Sequence, residues 1–340
     1  MSQNKVRWAV LGVARIATAK VVPAMQRGVW STVVGIASRD ADRARRAAEE
    51  LGLPKAYASY EEALADPEVE AIYNPLPNHL HVPWSIRAAE TGKHVLCEKP
   101  IGMSTSECRK LITVRDRTGV RIGEAFMVRT HPQWLRAREL VRSGEIGELR
   151  AVQAAFGYFN RDPANVRNVA EYGGGAVMDI GCYPIQIARF LFGEEPVRVA
   201  GRLERDPEFQ VDRLGSALLE FPCGHCVFTC GTQMAYHQRV QILGTKGRIE
   251  VQVPFNTAPD RASRLFLDHG PDLYGGDLRT VEIPACNQYT IQGDLFSRAV
   301  RGEGEVPTPL EDSLGNMAVI EAVFESARTG RMVAPAQFRS

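Results

Sequence analysis

From residue 6 to about 123, short apolar runs alternate with longer stretches in which apolar positions recur every three or four residues. The runs cover 7–11, 32–37, 70–73, 94–97 and 121–124, with amphipathic helical patterns at 42–51, 81–91 and 104–118 among the stretches between them. Val- and Ile-rich strands separated by helix-length segments predict βαβ units and a parallel sheet covered on both faces, wound in both directions from its middle.

The pattern changes after a bridging helix at 132–143. The runs 149–159, 197–204, 216–221, 226–235, 240–243 and 248–253 alternate apolar and polar residues, with turn signals such as P-C-G-H and G-T-K-G between several of them. Strands joined by tight turns predict an antiparallel or mixed sheet. One face is expected to pack on helices and the other to be a subunit interface. Helical patterns return at 288–302 and 311–329 and are expected to brace the first domain or the sheet. The fold class is therefore α/β followed by α+β: a nucleotide-type domain over 1–125 and a substrate and oligomerisation domain over 126–340, with the boundary between 125 and 148.

A chain of 340 residues is long for one core, which agrees with two domains. Basic and acidic residues are interleaved with a net charge of +1, so the composition gives no support for a nucleic-acid partner. Apolar runs are strand-sized and the opening residues lead straight into the first strand, so neither a membrane span nor an export signal is expected, and the default location is cytoplasmic. Seven scattered cysteines suit a reducing compartment. Cys223, Cys226 and Cys230, with His225, raise the question of a metal; the stretch reads instead as a hairpin turn entering a strand, and no metal is expected. His237 and His269 show no partner in the sequence and are expected at a surface or interface.

Candidate chemistry begins at residues 10–17, V-L-G-V-A-R-I-A. Gly12 supplies the tight bend that follows a first strand in a dinucleotide site, while Ala14 and Ala17 stand where two further glycines are usual. Alanine is tolerable there if its backbone stays out of the left-handed region. The helix start at Arg15 and Ile16 would then aim N–H groups at a phosphate. Alone, the turn fits a nucleotide site or a plain packing turn equally well. The second strand ends in Ser38 and Arg39, where an NAD reader would place Asp or Glu. A hydroxyl beside a guanidinium suits a 2′-phosphate, so NADP is favoured, while Asp40 keeps NAD possible. The plainer alternative makes Arg39 a solvated helix-start residue.

Lys99, in C-E-K-P, follows the fourth strand at the carboxyl edge of the sheet, where open α/β sheets bind ligands. At 172–186 the chain reads Y-G-G-G-A-V-M-D-I-G-C-Y-P-I-Q. Three glycines suit a sharp bend or a backbone lying against a ligand. Asp179 and Tyr183, four apart, would share a helix face. They are either a hydrogen-bonded core pair or proton-transfer equipment. In the second case an ammonium such as Lys99 would favour the phenolate of Tyr183, giving a base for a carbinol proton.

The G-V-A-R-I-A turn, P-L-P-N-H-L-H at 75–81, C-E-K-P at 97–100 and G-G-G-A-V-M-D-I-G-C-Y-P at 173–184 together resemble the glucose-fructose oxidoreductase, inositol dehydrogenase and MocA family over nearly the whole chain. Tyrosine at 183 is similar to the branch of NADP-dependent D-xylose dehydrogenases and dimeric dihydrodiol dehydrogenases. The resemblance implies a Rossmann domain and a large, mostly antiparallel sheet. It also implies catalytic roles for Lys99 and Tyr183, with Asp179 near the substrate. Pro77, Asn78 and His79 would lie by the nicotinamide and Glu98 by its ribose, with Arg129, His131 and Arg167 lining a sugar pocket. The expected activity is hydride transfer between NADP(H) and a small polyol or sugar, in a homodimer or homotetramer. The alternatives are a ketoreductase of a keto nucleotide sugar and a non-catalytic sensor on the same fold.

Overall fold

The computed structural model describes residues 4–270 and 272–335; Met1 to Gln3, at the start of the expected leaderless opening, lie outside them. The chain divides into a unit of Met1–Thr130 with Asn287–Leu314 and a second of His131–Cys286 with Gly315–Ser340.

In the first unit the apolar runs become β1 (Val6–Leu11), β2 (Ser31–Ala37), β4 (Ala71–Asn74), β5 (His94–Glu98) and β6 (Ile122–Ala125). A short strand, β3 (Lys55–Tyr57), completes a parallel sheet of order β3-β2-β1-β4-β5-β6. The order reverses between β1 and β4, which makes their carboxyl ends the switch point of the sheet. Between the strands run α1 (Val22–Met25), α2 (Ala41–Leu51), α3 (Tyr60–Ala65), α4 (His81–Glu90) and α5 (Thr105–Thr118). Three of these start where an oxygen-bearing side chain can hold an orphan N–H: Asp40, Ser59 and Ser104 each accept from the residue three ahead. α8 (Gln288–Val300) packs here too: the indole N–H of the fully buried Trp8 donates to Ser297 Oγ at 3.1 Å, and its ring centroid lies 5.4 Å from that of Phe296.

In the second unit α6 (Pro132–Arg142) and α7 (Cys182–Phe192) accompany eight strands. These are β7 (Leu149–Phe159), β8 (Arg198–Arg205), β9 (Asp212–Phe221), β10 (Gly224–Gly231), β11 (Gln233–Gly244), β12 (Arg248–Val251), β13 (Ser263–Asp268) and β14 (Arg279–Ile283). Their order is β14-β13-β12-β11-β7-β10-β9-β8, antiparallel throughout except for the β7–β10 pair. α9 (Leu310–Thr329) closes the described elements. The expected strand at 226–235 is corrected to two strands. β10 ends at Gly231 and β11 begins at Gln233, and the alternation runs on through Thr232 with no Pro or Asn to punctuate it. The P-C-G-H signal is a two-residue hairpin loop, with Phe221 paired to Gly224.

Candidate active site

Each candidate of the first unit follows the carboxyl end of a parallel strand. Gly12 has φ +86°, a conformation that favours glycine, and a β-carbon there would lie 2.9 Å from Leu76 Cδ2. Gln210 is the sole non-glycine residue with positive φ among those described, so Ala14 and Ala17 meet the condition on which the turn depends. Arg15 and Ile16 start a helix that widens over Ala17–Val21 before α1.

Beyond β2, the buried Ser38 accepts the Asp40 N–H at 3.1 Å while Arg39 is exposed. Asp40 caps α2, accepting from Arg43 N at 3.0 Å. Arg43, which sequence reasoning missed, donates from Nη2 to Val13 O at 2.8 Å, on the glycine turn itself. The signal was available: Arg39 and Arg43 are four apart at a helix start. The Arg43 guanidinium thus lies on the turn, with Ser38 and Arg39 following the neighbouring strand and the nearby carboxylate engaged as a cap. This donor set fits an anion better than a ribose hydroxyl.

The segment after β4 is anchored by His81, a second residue not singled out from the sequence. It is buried, with Nδ1 2.7 Å from Pro100 O and Nε2 2.6 Å from Leu76 O. Both partners only accept, so two simultaneous hydrogen bonds would need the charged ring. Burial lowers its pKa to about 4, and the neutral ring donates to one carbonyl at a time. His81 thereby ties the loop carrying Pro77, Asn78 and His79 to the segment carrying Glu98 and Lys99. Burial and the charge of Arg39 both lower the pKa of His79. Glu98 Oε1 accepts from Tyr73 OH at 2.6 Å, and Lys99 N lies 3.3 Å from Glu98 Oε2, leading into a cis Lys99–Pro100 bond. Burial, with the Glu98 charge next, pushes the Tyr73 and Tyr289 phenols up. Arg129 Nη1 lies 3.9 Å from Asp312 Oδ1.

In the second unit Asp179 sits in a wide π-helical turn, Val177–Gly181, that leads into α7; such turns recur at functional sites. Asp179 Oδ2 accepts from Tyr158 OH at 2.6 Å and faces Arg167 Nε at 2.9 Å. The aspartate raises the Arg167 pKa further, so the guanidinium is charged. Tyr158 carried no signal beyond the alternation of its strand. Tyr183 is 6% exposed, its ring 5.3 Å from Phe255 and 5.8 Å from Phe156 by centroids. The glycine triplet is explained by the chain itself. A β-carbon on Gly174 would lie 2.4 Å from Arg167 O, and one on Gly175, at φ +112°, would lie 2.1 Å from Asp212 Oδ1. Close approach of backbone to protein atoms, not to a ligand, accounts for two of the three.

His131 is a buried cap of α6: Nδ1 accepts from Gln133 N at 3.1 Å and Nε2 lies 3.4 Å from Cys286 Sγ. Burial lowers its pKa to about 4, so the ring is neutral and committed to the helix start. His269, for which the sequence shows no partner, is partly exposed and meets Asp277 through Nδ1 at 2.6 Å and Glu145 through Nε2 at 3.3 Å. Cys226 and Cys230 are buried in β10 while Cys223 is exposed, and burial raises the thiols of the first two. Among the described residues no group of three or more His, Cys, Asp or Glu side chains is placed to hold a metal, and no helix is long and apolar enough to cross a membrane.

Comparison with known proteins gives a consistent result. Residues 6–126 match the model of an oxidoreductase family with an NAD-binding Rossmann fold, and residues 134–250 match that of a GFO/IDH/MocA C-terminal domain. An uncharacterized oxidoreductase of Rhizobium meliloti is 49% identical, covering 96% of this chain and 98% of its own. A D-xylose 1-dehydrogenase (NADP(+)) of Haloferax volcanii is 38% identical over 95% of this chain and 98% of its own. Among solved structures, a 3-ketoreductase from Actinomadura kijaniata in complex with NADP and TDP-benzene superposes with a TM-score of 0.88. It is 30% identical and covers 95% of this chain and 98% of that one.

Proposed function

This chain belongs to the GFO/IDH/MocA oxidoreductase family, and on that premise we propose that it is an NADP(H)-dependent dehydrogenase of a neutral polyhydroxylated ring such as an aldose. The observation that carries the substrate class is the charge balance around Asp179. Arg167 is matched by Asp179, itself hydrogen-bonded to Tyr158, which leaves a floor of donors and acceptors without net charge. Sugar hydroxyls both donate and accept and suit such a floor. A nucleotide diphosphate needs unmatched cations, and the other candidates for that role are also neutralised. Arg161 meets Glu208 at 2.7 Å and Asp206 at 3.9 Å, and Arg129 faces Asp312.

Ser38, Arg39 and Arg43 would hold the 2′-phosphate, the Gly12 turn and the helix start at Arg15 the pyrophosphate, and Pro77, Asn78, His79 and Glu98 the nicotinamide riboside. When bound, the cofactor accepts or supplies the hydride. Tyr183 takes or returns the proton at the substrate hydroxyl oxygen. Lys99 is the second catalytic group of this reading, and Asp179 and Arg167 orient the ring. The presence of Lys99, Asp179 and Tyr183 together argues against a non-catalytic sensor.

Incubation with NADP and a panel of aldoses, inositols and dihydrodiols is expected to yield reduced nicotinamide with an aldose. Silence across the panel, with oxidation of NADPH by a keto nucleotide sugar, would establish the ketoreductase reading instead. The free cysteines fit a cytoplasmic location. The open face of the large sheet, where Val227 is 42% exposed beside Gln153, Leu218 and Gln241 in a depression of about 600 Å³, fits a homo-oligomer interface. Val227→Arg is expected to reduce the sedimenting mass to that of the monomer; an unchanged mass would rule out this face.

A further inference from the structure

Asp212 opens β9 and is only 4% exposed. Its Oδ2 accepts from Val177 N at 2.7 Å, and the nearby N–H groups of Ala176 and of Asp212 itself favour the charged form. Ala176 and Val177 begin the turn that runs into α7, where no preceding helical carbonyl is available to take their N–H groups. The cap is thus delivered from a strand 35 residues away in sequence. Gly175 makes room for it, since a β-carbon there would overlap Oδ1 at 2.1 Å. The rest of the turn also packs closely on the sheet. A β-carbon on Gly215 would lie 2.9 Å from Val177 Cγ2, and one on Gly181 would lie 3.0 Å from Cys230 Sγ. Among the described residues no cation pairs with Asp212 within salt-bridge distance. Arg205 on β8 acts on it through space, and the other ionisable groups facing it are Cys230 on β10 and, beyond that thiol, Cys182 and Asp179.

We propose that Asp212 is a positioning residue of the active site: as a carboxylate cap supplied by β9, it fixes the Val177–Gly181 turn so that Asp179 and Tyr183 meet the substrate in the reactive arrangement. This rests on the proposed roles of Asp179 and Tyr183. A carboxylate offers only accepting oxygens to the Val177 N–H and the start of the turn, whereas the protonated acid offers one good acceptor and a hydroxyl. Protonation therefore frees part of the turn. Burial raises the Asp212 pKa to about 6, overcoming the N–H donors that favour the charged form. Because the folded value lies above the unfolded one, lowering the pH through this window favours the folded state through this group. The acid limb it produces is a loss of turnover, not of folded protein.

Asp212→Asn, which has the shape of the protonated form, tests this. At about pH 8 its kcat is expected to fall on the order of tenfold through misplacement of the reacting groups, with NADP affinity unchanged. The wild-type acid limb near pH 6 should be missing from its profile. A variant with wild-type kcat and the same acid limb would overturn the proposal. Tyr183→Phe is measured in parallel: a fully active Tyr183→Phe would refute the site reading, whereas an inactive one beside a wild-type-like Asp212→Asn refutes only the role of Asp212. Should the asparagine variant not fold, hydrogen exchange of the Val177 amide in the wild type decides. Its protection is expected to fall as pH drops through about 6; constant protection down to about pH 5 would overturn the proposal.

Discussion

Tyr183→Phe is expected to lower kcat by about 10²- to 10⁴-fold, the usual worth of a positioned acid or base, while NADP binds as before. The substitution removes the phenolic oxygen and nothing else. The ring is enclosed beside Phe156 and Phe255, a setting in which phenylalanine packs as tyrosine does. Unfolding followed by circular dichroism checks that the variant is folded at the assay temperature. With the ring in place, a fall in kcat reads the loss of the proton-transferring group and not of the fold. Steady-state turnover with the best sugar of the panel, and a fluorescence titration with NADPH, make the measurement. Full turnover by the variant would remove Tyr183 from the mechanism.

The second large effect concerns the nucleotide. Arg39→Ala is expected to raise the Kd for NADP by about tenfold to a hundredfold, the value of one or two charge-assisted hydrogen bonds, and to change that for NAD by no more than about twofold. Arg39 is exposed at the end of β2, so its removal leaves no cavity and no buried partner unsatisfied. Asp40 is occupied at Arg43 N, so the variant does not acquire a ready ribose acceptor in its place. Arg43 retains part of the phosphate site, which keeps the loss finite. Equal weakening of both nucleotides would show that Arg39 does not read the 2′-phosphate.

Periodicity made the parallel half legible because each of its longer strands is buried and flanked by a helix with its own pattern. β3 escaped because three residues at a sheet edge contain no period to count. β13 and β14 escaped as two short strands at one end of the sheet, and β10 and β11 merged because alternation continued across the break. In the candidate site, residue types with unusual cost or chemistry stood out, such as the glycine triplet, Lys99 before proline, and Asp179 with Tyr183. Partners supplied by ordinary strand and helix positions did not. Tyr158, Asp212 and Arg43 matter through where the fold carries them, and an aspartate opening a strand looks in sequence like any other polar strand end. The glycines suited either a sharp bend or a backbone lying against a ligand; Gly174 and Gly175 admit a carbonyl and a carboxylate of the chain itself.

The return of α8 to the first unit has a consequence for synthesis. Trp8 is made near the beginning, but Ser297 and Phe296, which hold its indole, are made after the whole of 131–286. The same holds for Glu124 N, which awaits Thr308 O, and for the backbone N–H groups of Val29 and Trp30, which await Asp294. On the ribosome, the half of the protein that is begun first is therefore completed only after 131–286 have been made. Its nascent apolar face stays unsealed while the large sheet is being made, and a fragment ending near residue 126 lacks the helix that closes it.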